Sequence, residues 1–523
     1  MNVGIIMLQD KELAAWQAEM EVQLYKLPFI DSVFYIIIPH LQKQGSTPSI
    51  AYRIFSTMEK AWFKGVPDAK KTARLRGISF ELSTDADKPL MLDEKGKNSI
   101  QEFAPDIIFG VGLDLEEENL SGLLPYGLWS LCLGKNSDPA FTGFSEVMND
   151  DPVIEATLEV KYQGNRYLVY NGSTATVPYS VRNTFHSVAW KAASFLPARL
   201  NELYSNGPQL FFSSEREKTS PVPAVLQAPG NRTIVVSSAR NVQRYLSWRK
   251  KAKSSPSFTL LYRHESFHEH IDFSSFTPLT APAGMFWADP FVLEKQGTKY
   301  IFFEEYAEAK GRAHISLITI DAAGNVSSPC IVLEKPFHLS YPFIVEHEGE
   351  VYMIPETASA RRVELYRAKN FPFNWELEKT LMNDVILIDA TLLFHERKWW
   401  MFGTTQNHPF TSTNDQLMLY YSDSLFSQQW TPHPQNPIVT RIEHCRPAGA
   451  FFRRDGKLFR PAQNNASRQY GYAISIMEVL ELNTKFYCEK QVHSFLPTPP
   501  LKALHTLNFT SSFTVIDGIV EGL

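Results

Sequence analysis

A unit of about 50 residues recurs through the second half of the chain, and this recurrence constrains the fold more than any other feature. Five short openers mark it: Ala288-Asp289-Pro290-Phe291, Tyr341-Pro342-Phe343-Ile344, Asp389-Ala390-Thr391-Leu392, Arg446-Pro447-Ala448-Gly449 and His505-Thr506-Leu507-Asn508. Each opener leads into a strand. A turn such as Gln296-Gly297 or Glu348-Gly349 follows, then an aromatic second strand (KYIFFEEY, EVYMIPET, KWWMFGT or KLFRPAQ). A third strand comes next (HISLITI, RVELYRA, QLMLYYS or YGYAISI). A four-stranded unit of this length is a propeller blade, so residues 281–523 are expected to form an all-β five-bladed β-propeller. The last unit is short, and a strand from before the first blade is expected to complete it. Ser257 to Arg263 (SFTLLYR) is the candidate, since closure removes exposed sheet edges.

The N-terminal part has a different pattern. Val3 to Leu8 and Ser32 to Pro39 are short apolar runs of the buried-strand type, and Leu13, Trp16, Met20 and Leu24 recur at helical spacing. Asp106 to Gly112 and Gly127 to Leu133 are further strand candidates. The alternation predicts an α/β, Rossmann-like domain with a mainly parallel sheet over residues 1–205. Val181 to Tyr204 has helical character, which Pro197 is expected to break. Between the domains, residues 206–280 are rich in Pro and Ser and are expected to be a linker. Arg240 to Lys253 (RNVQRYLSWRKKAK) within it is basic, and is expected to be a solvated connector helix rather than a phosphate or membrane patch.

Bulk properties exclude several function classes. Over 523 residues the formal net charge is −5, which lacks the basic excess of a general nucleic-acid binder. The four cysteines, Cys132, Cys330, Cys445 and Cys488, form no C-x-x-C pair, so neither a zinc ribbon nor a disulfide scaffold is expected. The start MNVGIIMLQDKELAAW has no signal-peptide character, and the apolar run at Val33 to Pro39 is too short to span a bilayer. These features predict a soluble, cytoplasmic protein with no transmembrane segment, and no metal or cofactor is required.

Propeller strands converge on a central axis, so the openers bring distant residues together. Asp289 and Asp389 meet there, with Glu356 at the end of a second strand. Clustered carboxyls raise one another's pKa, and one donor and one acceptor are what glycosidic chemistry needs. In a hydrolase Asp289 would be the base, Glu356 the acid, and Asp389 a tuning group. Trp287 and Tyr341, with Phe286, Trp399 and Trp400, offer flat faces for sugar rings. Glu305, Arg446, Arg460 and His505 complete the expected substrate contacts, the arginines as anion clamps. His505, with His314 and His444, is a weaker candidate than the acids, since such histidines are more often satisfied structural groups. For any one of these residues a structural role is the simpler expectation; the three acids taken together favour function.

The ordered motifs WADPF, FFEE, YPFI, MIPET, ELYRA, DATLLF, LYYSDS, RPAG and RPAQ resemble the N-terminal domain of plant glucosamine inositolphosphorylceramide transferases and bacterial relatives. More distantly they are similar to the five-bladed propellers of arabinanases and fructosidases. That resemblance implies active-site acids at Asp289 and Asp389. It also implies a general-acid Glu on the fourth blade, where this sequence has Arg446, with Glu443 just before it. Separately, Asp106 to Gly112 followed by Tyr126 to Cys132 resembles the formyltransferase core. That family's Asn-x-His pair and later Asp fall on Ser130, Cys132 and Gln163, which implies a degenerate site. Three functions follow as expectations. The first is a carbohydrate-active protein of cell-surface polysaccharide or glycolipid metabolism, taking a glycan, a glycolipid head group or a nucleotide sugar. The second is a non-catalytic sugar-binding module, and the third an N-formyltransferase acting on a nucleotide-linked amino sugar.

Overall fold

A computed structural model of the chain describes residues 1–7, 13–37, 48–63, 67–73, 78–81, 93–112, 122–135, 139–213, 229–251, 257–268, 271–406, 408–467 and 469–521. The chain divides into two compact units, one of residues 1–253 with 408–411 and the other of residues 254–407 with 412–523.

The first unit is built on a seven-stranded sheet. Its strands run, in spatial order, Ser79–Glu81, Ser32–Ile37, Asn2–Met7, Ile107–Val111, Leu128–Leu133, Val153–Tyr162 and Asn165–Ala175. The first five are parallel to one another, and Val153–Tyr162 runs antiparallel to both of its neighbours, Leu128–Leu133 and Asn165–Ala175. Val3, Ile5, Tyr35, Phe109, Trp129 and Leu131 are buried on one face and Ile6, Phe34, Ile36, Ile108 and Leu128 on the other, as expected for strands covered on both faces. Trp16, Met20 and Leu24 of helix Ala15–Leu24 pack into the same core. The helical stretch after Val181 is interrupted, but not by Pro197. Helix Val181–Ala192 ends first, and Pro197 lies in the first turn of helix Phe195–Asn206. A first-turn amide has no intrahelical partner to lose, so proline is tolerated there. Residues 206–280 do not form one linker. Helices Pro208–Phe211 and Asn231–Lys251 belong to the first unit, whereas Thr259–Arg263 and Thr277–Leu279 are strands of the second.

The second unit is a five-bladed β-propeller, with five four-stranded antiparallel sheets among the described residues. Blade one holds Met285–Lys295, Thr298–Ala307, Arg312–Ile320 and Cys330–Leu333. Blade two begins with Ser340–His347 and Glu350–Glu356, and blade three with Ile388–His395 and Lys398–Thr404. Blade four contains Phe452–Arg454 and Lys457–Asn464. Blade five joins the two ends of the unit: Thr259–Arg263 pairs with the C-terminal strand Thr514–Val520, which pairs with Leu501–Phe509.

The same irregularity recurs at the blade openers. A register shift falls between Ala288 and Phe291, between Ser340 and Phe343, and between Ile388 and Thr391. Asp289, Tyr341 and Asp389 sit inside these bulges with φ of 52°, 42° and 54°. Left-handed backbone at a non-glycine residue is strained, and a bulge re-aims the side chain it carries. Blade five repeats the shift between Leu504 and Thr506, around His505. The corresponding seam of blade four depends on a glycine. Gly449 has φ of 138°, and a Cβ there would lie 2.1 Å from the carbonyl oxygen of Leu507. Gly449→Ala is therefore expected to destabilise the propeller by about 2–4 kcal/mol, read as a lowered denaturation midpoint. An unchanged midpoint would mean that the seam between blades four and five gives way freely.

Candidate functional site

The bulged openers and the ends of the second strands carry the axial cluster. Asp289 is buried. Its Oδ1 accepts the Thr506 hydroxyl at 2.9 Å and lies 3.2 Å from Nε2 of His505. The other ring nitrogen of His505 is 2.9 Å from Asp517, whose second oxygen accepts the Asp289 amide at 2.7 Å. Blade one is thus joined to blade five through a histidine held between two carboxylates. Burial opposes charge on this ring, but Asp517 and Asp289 outweigh it and lift the His505 pKa to about 10. In return, although burial pushes Asp289 upward, the hydrogen bond and charge of His505 hold it below the ordinary carboxylate value. Asp289, His505 and Asp517 are close enough together to ligate a cation. A protonated His505 already supplies the positive charge there.

Asp389 is fully buried on the neighbouring side of the axis. Arg446 grips it through Nε and Nη2, the latter at 3.2 Å, and Gln463 donates to it at 3.3 Å. Nη1 of Arg446 donates to Asn414 at 2.9 Å, and Nη2 lies 3.9 Å from Glu356. Burial raises Glu356 to about 8, helped by the charge of Asp389, with which it shares a hydrogen bond. Glu304 is raised well above the usual range by burial and by Asp289 and Glu356. Five carboxyl groups therefore face two cations, Arg446 and His505, and protons on Glu356 and Glu304 relieve the imbalance.

Solvent reaches this cluster at a mouth. The Glu356 and Arg446 side chains keep 14% and 12% of their exposure. Arg446 lies 5.0 Å beneath the ring of Tyr470, which is 41% exposed. Phe258 packs at 4.4 Å from His505. Gly471, beside Tyr470, leaves no room for a Cβ, which would come within 2.7 Å of the His505 Cβ. On the blade-one side, His338 lies 3.4 Å from Glu304, and the stacked rings of Phe286 and Tyr306 are 4.8 Å apart. A cation, a protonated carboxyl and a partly exposed aromatic residue side by side can hydrogen-bond hydroxyls and offer an aromatic edge or face to a pyranose.

Asp289, Glu356, Asp389, Arg446 and His505 are thus brought together. Other expected contacts lie elsewhere. Glu305 accepts from Trp287, His314 and Ser316 in a network of its own inside blade one. Alternate residues on a strand point to opposite faces, so Glu304, not Glu305, shares the axial cluster. Tyr341 is wholly buried: its hydroxyl meets Thr391 at 2.9 Å and accepts the Gly449 amide at 2.9 Å, tying blades two, three and four. Arg460 is clasped by Glu489 through Nη2 at 2.6 Å and Nε at 2.9 Å, and donates to the His444 carbonyl. Trp399 and Trp400 are core residues between blades. Glu443 pairs with Arg441 at 2.8 Å. Glu304, His338, Gln463, Tyr470 and Asp517 were not legible as site residues, although the adjacent FFEE acids signalled one axial carboxyl. In the first unit, Ser130 and Cys132 lie on strand Leu128–Leu133. Gln163 occupies the hairpin turn after Tyr162, whereas Cys132 pairs with Thr157 farther back along that hairpin. The three residues do not converge.

Residues 274–508 match the family model described as glucosamine inositolphosphorylceramide transferase 1, N-terminal. The Arabidopsis thaliana glucosamine inositolphosphorylceramide transferase 1 is 34% identical over 225 residues, covering 42% of this chain and 29% of the relative. The protein of the same name from Oryza sativa subsp. japonica is 33% identical over 211 residues, covering 40% and 28%. The chain thus spans less than a third of the length of these curated relatives. Among solved structures, Zg3597, a family 117 glycoside hydrolase from Zobellia galactanivorans, superimposes with a TM-score of 0.35 at 10% identity, covering 51% of this chain and 92% of that one. An exo-1,5-alpha-L-arabinanase from a bovine ruminal metagenomic library gives 0.33 at 11% identity, covering 46% and 94%.

Proposed function

We propose that the propeller, similar over residues 274–508 to the N-terminal domain of glucosamine inositolphosphorylceramide transferases, binds a carbohydrate or glycolipid head group at its axial mouth. The observation that carries this proposal is the adjacency of Glu356, Arg446 and the partly exposed residue Tyr470. While protonated, Glu356 can turn to a ligand hydroxyl the one proton it shares with Asp389, Arg446 contacts hydroxyl or phosphate oxygens, and Tyr470 packs on the sugar ring. The relatives' name suggests amino sugars and inositol phosphate as the first ligands to try. Calorimetric titration with glucosamine, inositol phosphate and short oligosaccharides tests this. Tyr470→Ala and Glu356→Gln are each expected to weaken binding of the preferred ligand by about tenfold, one well-formed contact each. Full affinity in the double variant would remove the proposal.

Binding is favoured over turnover because Asp289 and Asp389, the expected base and tuning acid, are both engaged, by His505 and Arg446. One observation supports turnover nonetheless: Glu356, its pKa raised to about 8 by burial, keeps its proton at neutral pH beside Arg446 and is an acid poised to protonate a leaving oxygen. Under that alternative, Asp289→Asn with Asp389→Asn abolishes release of reducing sugar while leaving binding measurable.

The pH dependence follows from Glu356. Its proton is present below about 8 and lost above it. Sugar affinity is therefore expected to be level from pH 6 to 7 and to fall as pH passes about 8. Glu356→Gln, which cannot ionise, is expected to flatten this limb. A limb that persists in that variant would assign it to another group.

A further inference from the structure

Helix Asn231–Lys251 contains six Arg or Lys residues and no Asp or Glu. Ile234, Ser237 and Asn241 face inward. Turned away from them, Val235, Ala239, Val242 and Leu246 recur at i, i+4, i+7 and i+11, a stripe of about three turns. This stripe is open to solvent, with Leu246 59% exposed. Arg232, Arg249 and Lys250 flank it and are themselves exposed. Among the described residues no carboxylate pairs with Arg232, Arg240, Arg249 or Lys250; only Arg244 has an acidic partner, Asp150 at 3.3 Å.

Helix Ile50–Trp62 packs beside it and repeats the pattern. Tyr52, Phe55 and Ile234 share one buried cluster, and Phe63, just past that helix, meets Tyr245 at 5.4 Å between ring centres. The two helices therefore run alongside one another with their inner faces on one core. Away from that core Ile50, Ile54, Met58 and Trp62 recur at every fourth residue, all exposed, with Ile50 at 77% and Trp62 at 56%. Trp248 is 47% exposed at the other helix's C-terminal end.

We propose that these two helices form a docking surface for an anionic lipid bilayer. Apolar stripes beside arginine and lysine that have no carboxylate partner among the described residues, with tryptophans at their ends, match the interfacial zone of a membrane. There the stripes enter the acyl boundary, the cations meet lipid phosphates and the indoles sit at head-group depth. Charge selects this occupant. A second copy laid on the same face would set one acid-free cationic helix against another, which is repulsive. A nucleic acid would use the cations and leave Ile50, Ile54, Val235 and Leu246 in water. No helix among the described residues is long and apolar enough to cross a membrane, so this contact lies on the surface. The proposal is independent of the sugar site.

The test is co-sedimentation of the full chain with phosphatidylcholine vesicles made with and without phosphatidylserine. The expected result is association with the phosphatidylserine vesicles only, weakening as salt rises. Arg249→Gln with Lys250→Gln is expected to lower the partition coefficient roughly tenfold or more. Ile54→Glu with Leu246→Glu is expected to abolish association. All four side chains are exposed, so circular dichroism and melting should stay as in the parent, and Glu356→Gln should sediment as the parent does. Equal association with both vesicles, none with either, or indifference to these variants overturns the proposal. So does a dimer that Leu246→Glu dissolves, or retention on nucleic acid without vesicle binding.

Discussion

Arg446→Leu is expected to lower the stability of the propeller by about 3–5 kcal/mol, the usual effect of stripping one partner from a buried ion pair. Asp389 is fully buried and receives two of the guanidinium's nitrogens, Nε and Nη2, so it has no water to replace them. The same change leaves Asn414 without its donor and Tyr470 without the cation under its ring. A denaturant titration followed through the propeller tryptophans reads the loss. The double variant Arg446→Leu with Asp389→Leu separates charge from shape. With both charges gone, most of the stability should return, since an apolar pair of similar volume replaces a buried ion pair at little cost. Sugar affinity should stay low in both, because Arg446 also lines the mouth. A single variant as stable as the parent would mean that Asp389 is already protonated in the folded protein.

The second large effect concerns the seam where the ends of the propeller meet. His505→Leu removes the cation shared by Asp289 and Asp517 and is expected to cost about 3–5 kcal/mol on the same grounds. Its pH signature distinguishes it from a packing defect. The folded-state pKa of His505 is raised from 6.5 to about 10. Its contribution is therefore complete below pH 6.5 and disappears as pH rises to about 10. Glu356 acts in the same direction for a different reason. Its folded pKa is raised from 4.5 to about 8, so the folded state resists giving up that proton and stability declines between those values. The parent propeller should lose stability continuously from pH 6.5 to 10. In His505→Leu the part of that decline above pH 8 should vanish. An unchanged slope would show that His505 is not the titrating group.

The propeller was legible because blades announce themselves locally. WADPF, YPFI, DATLLF and RPAG each begin a unit, and the second strands between Lys299 and Gln463 share aromatic character. Asp289, Asp389 and His505 could be placed on one axis from that repeat alone. What the repeat could not supply was the face each neighbour takes. Glu304 and Glu305 differ by one residue, yet one joins the axial carboxyls and the other serves Trp287 and His314, because alternation along a strand is set by a register the sequence does not print. Tyr341 occupies an opener and was expected to face ligand. Its bulge directs the hydroxyl into the contact between blades instead. Arg460 shares its Arg-Pro signature with Arg446 but finds Glu489 in the outermost strand of its own blade. Tyr470 lies in a loop between the second and third strands of blade four, and loops carry no repeat from which to place a side chain. The basic helix was recognised as basic. Its apolar stripe was missed because a segment rich in Pro and Ser on both sides reads as a connector, whereas helix Ile50–Trp62 gives it an inner face to pack against.

The most direct measurement of the central claim is a crystal structure of the protein grown with glucosamine, inositol phosphate or a short oligosaccharide. The account predicts a ring stacked on Tyr470, with an oxygen within hydrogen-bonding distance of both Glu356 and Arg446. A sugar bound on the outer face of a blade, with the axial mouth holding only water, would contradict it.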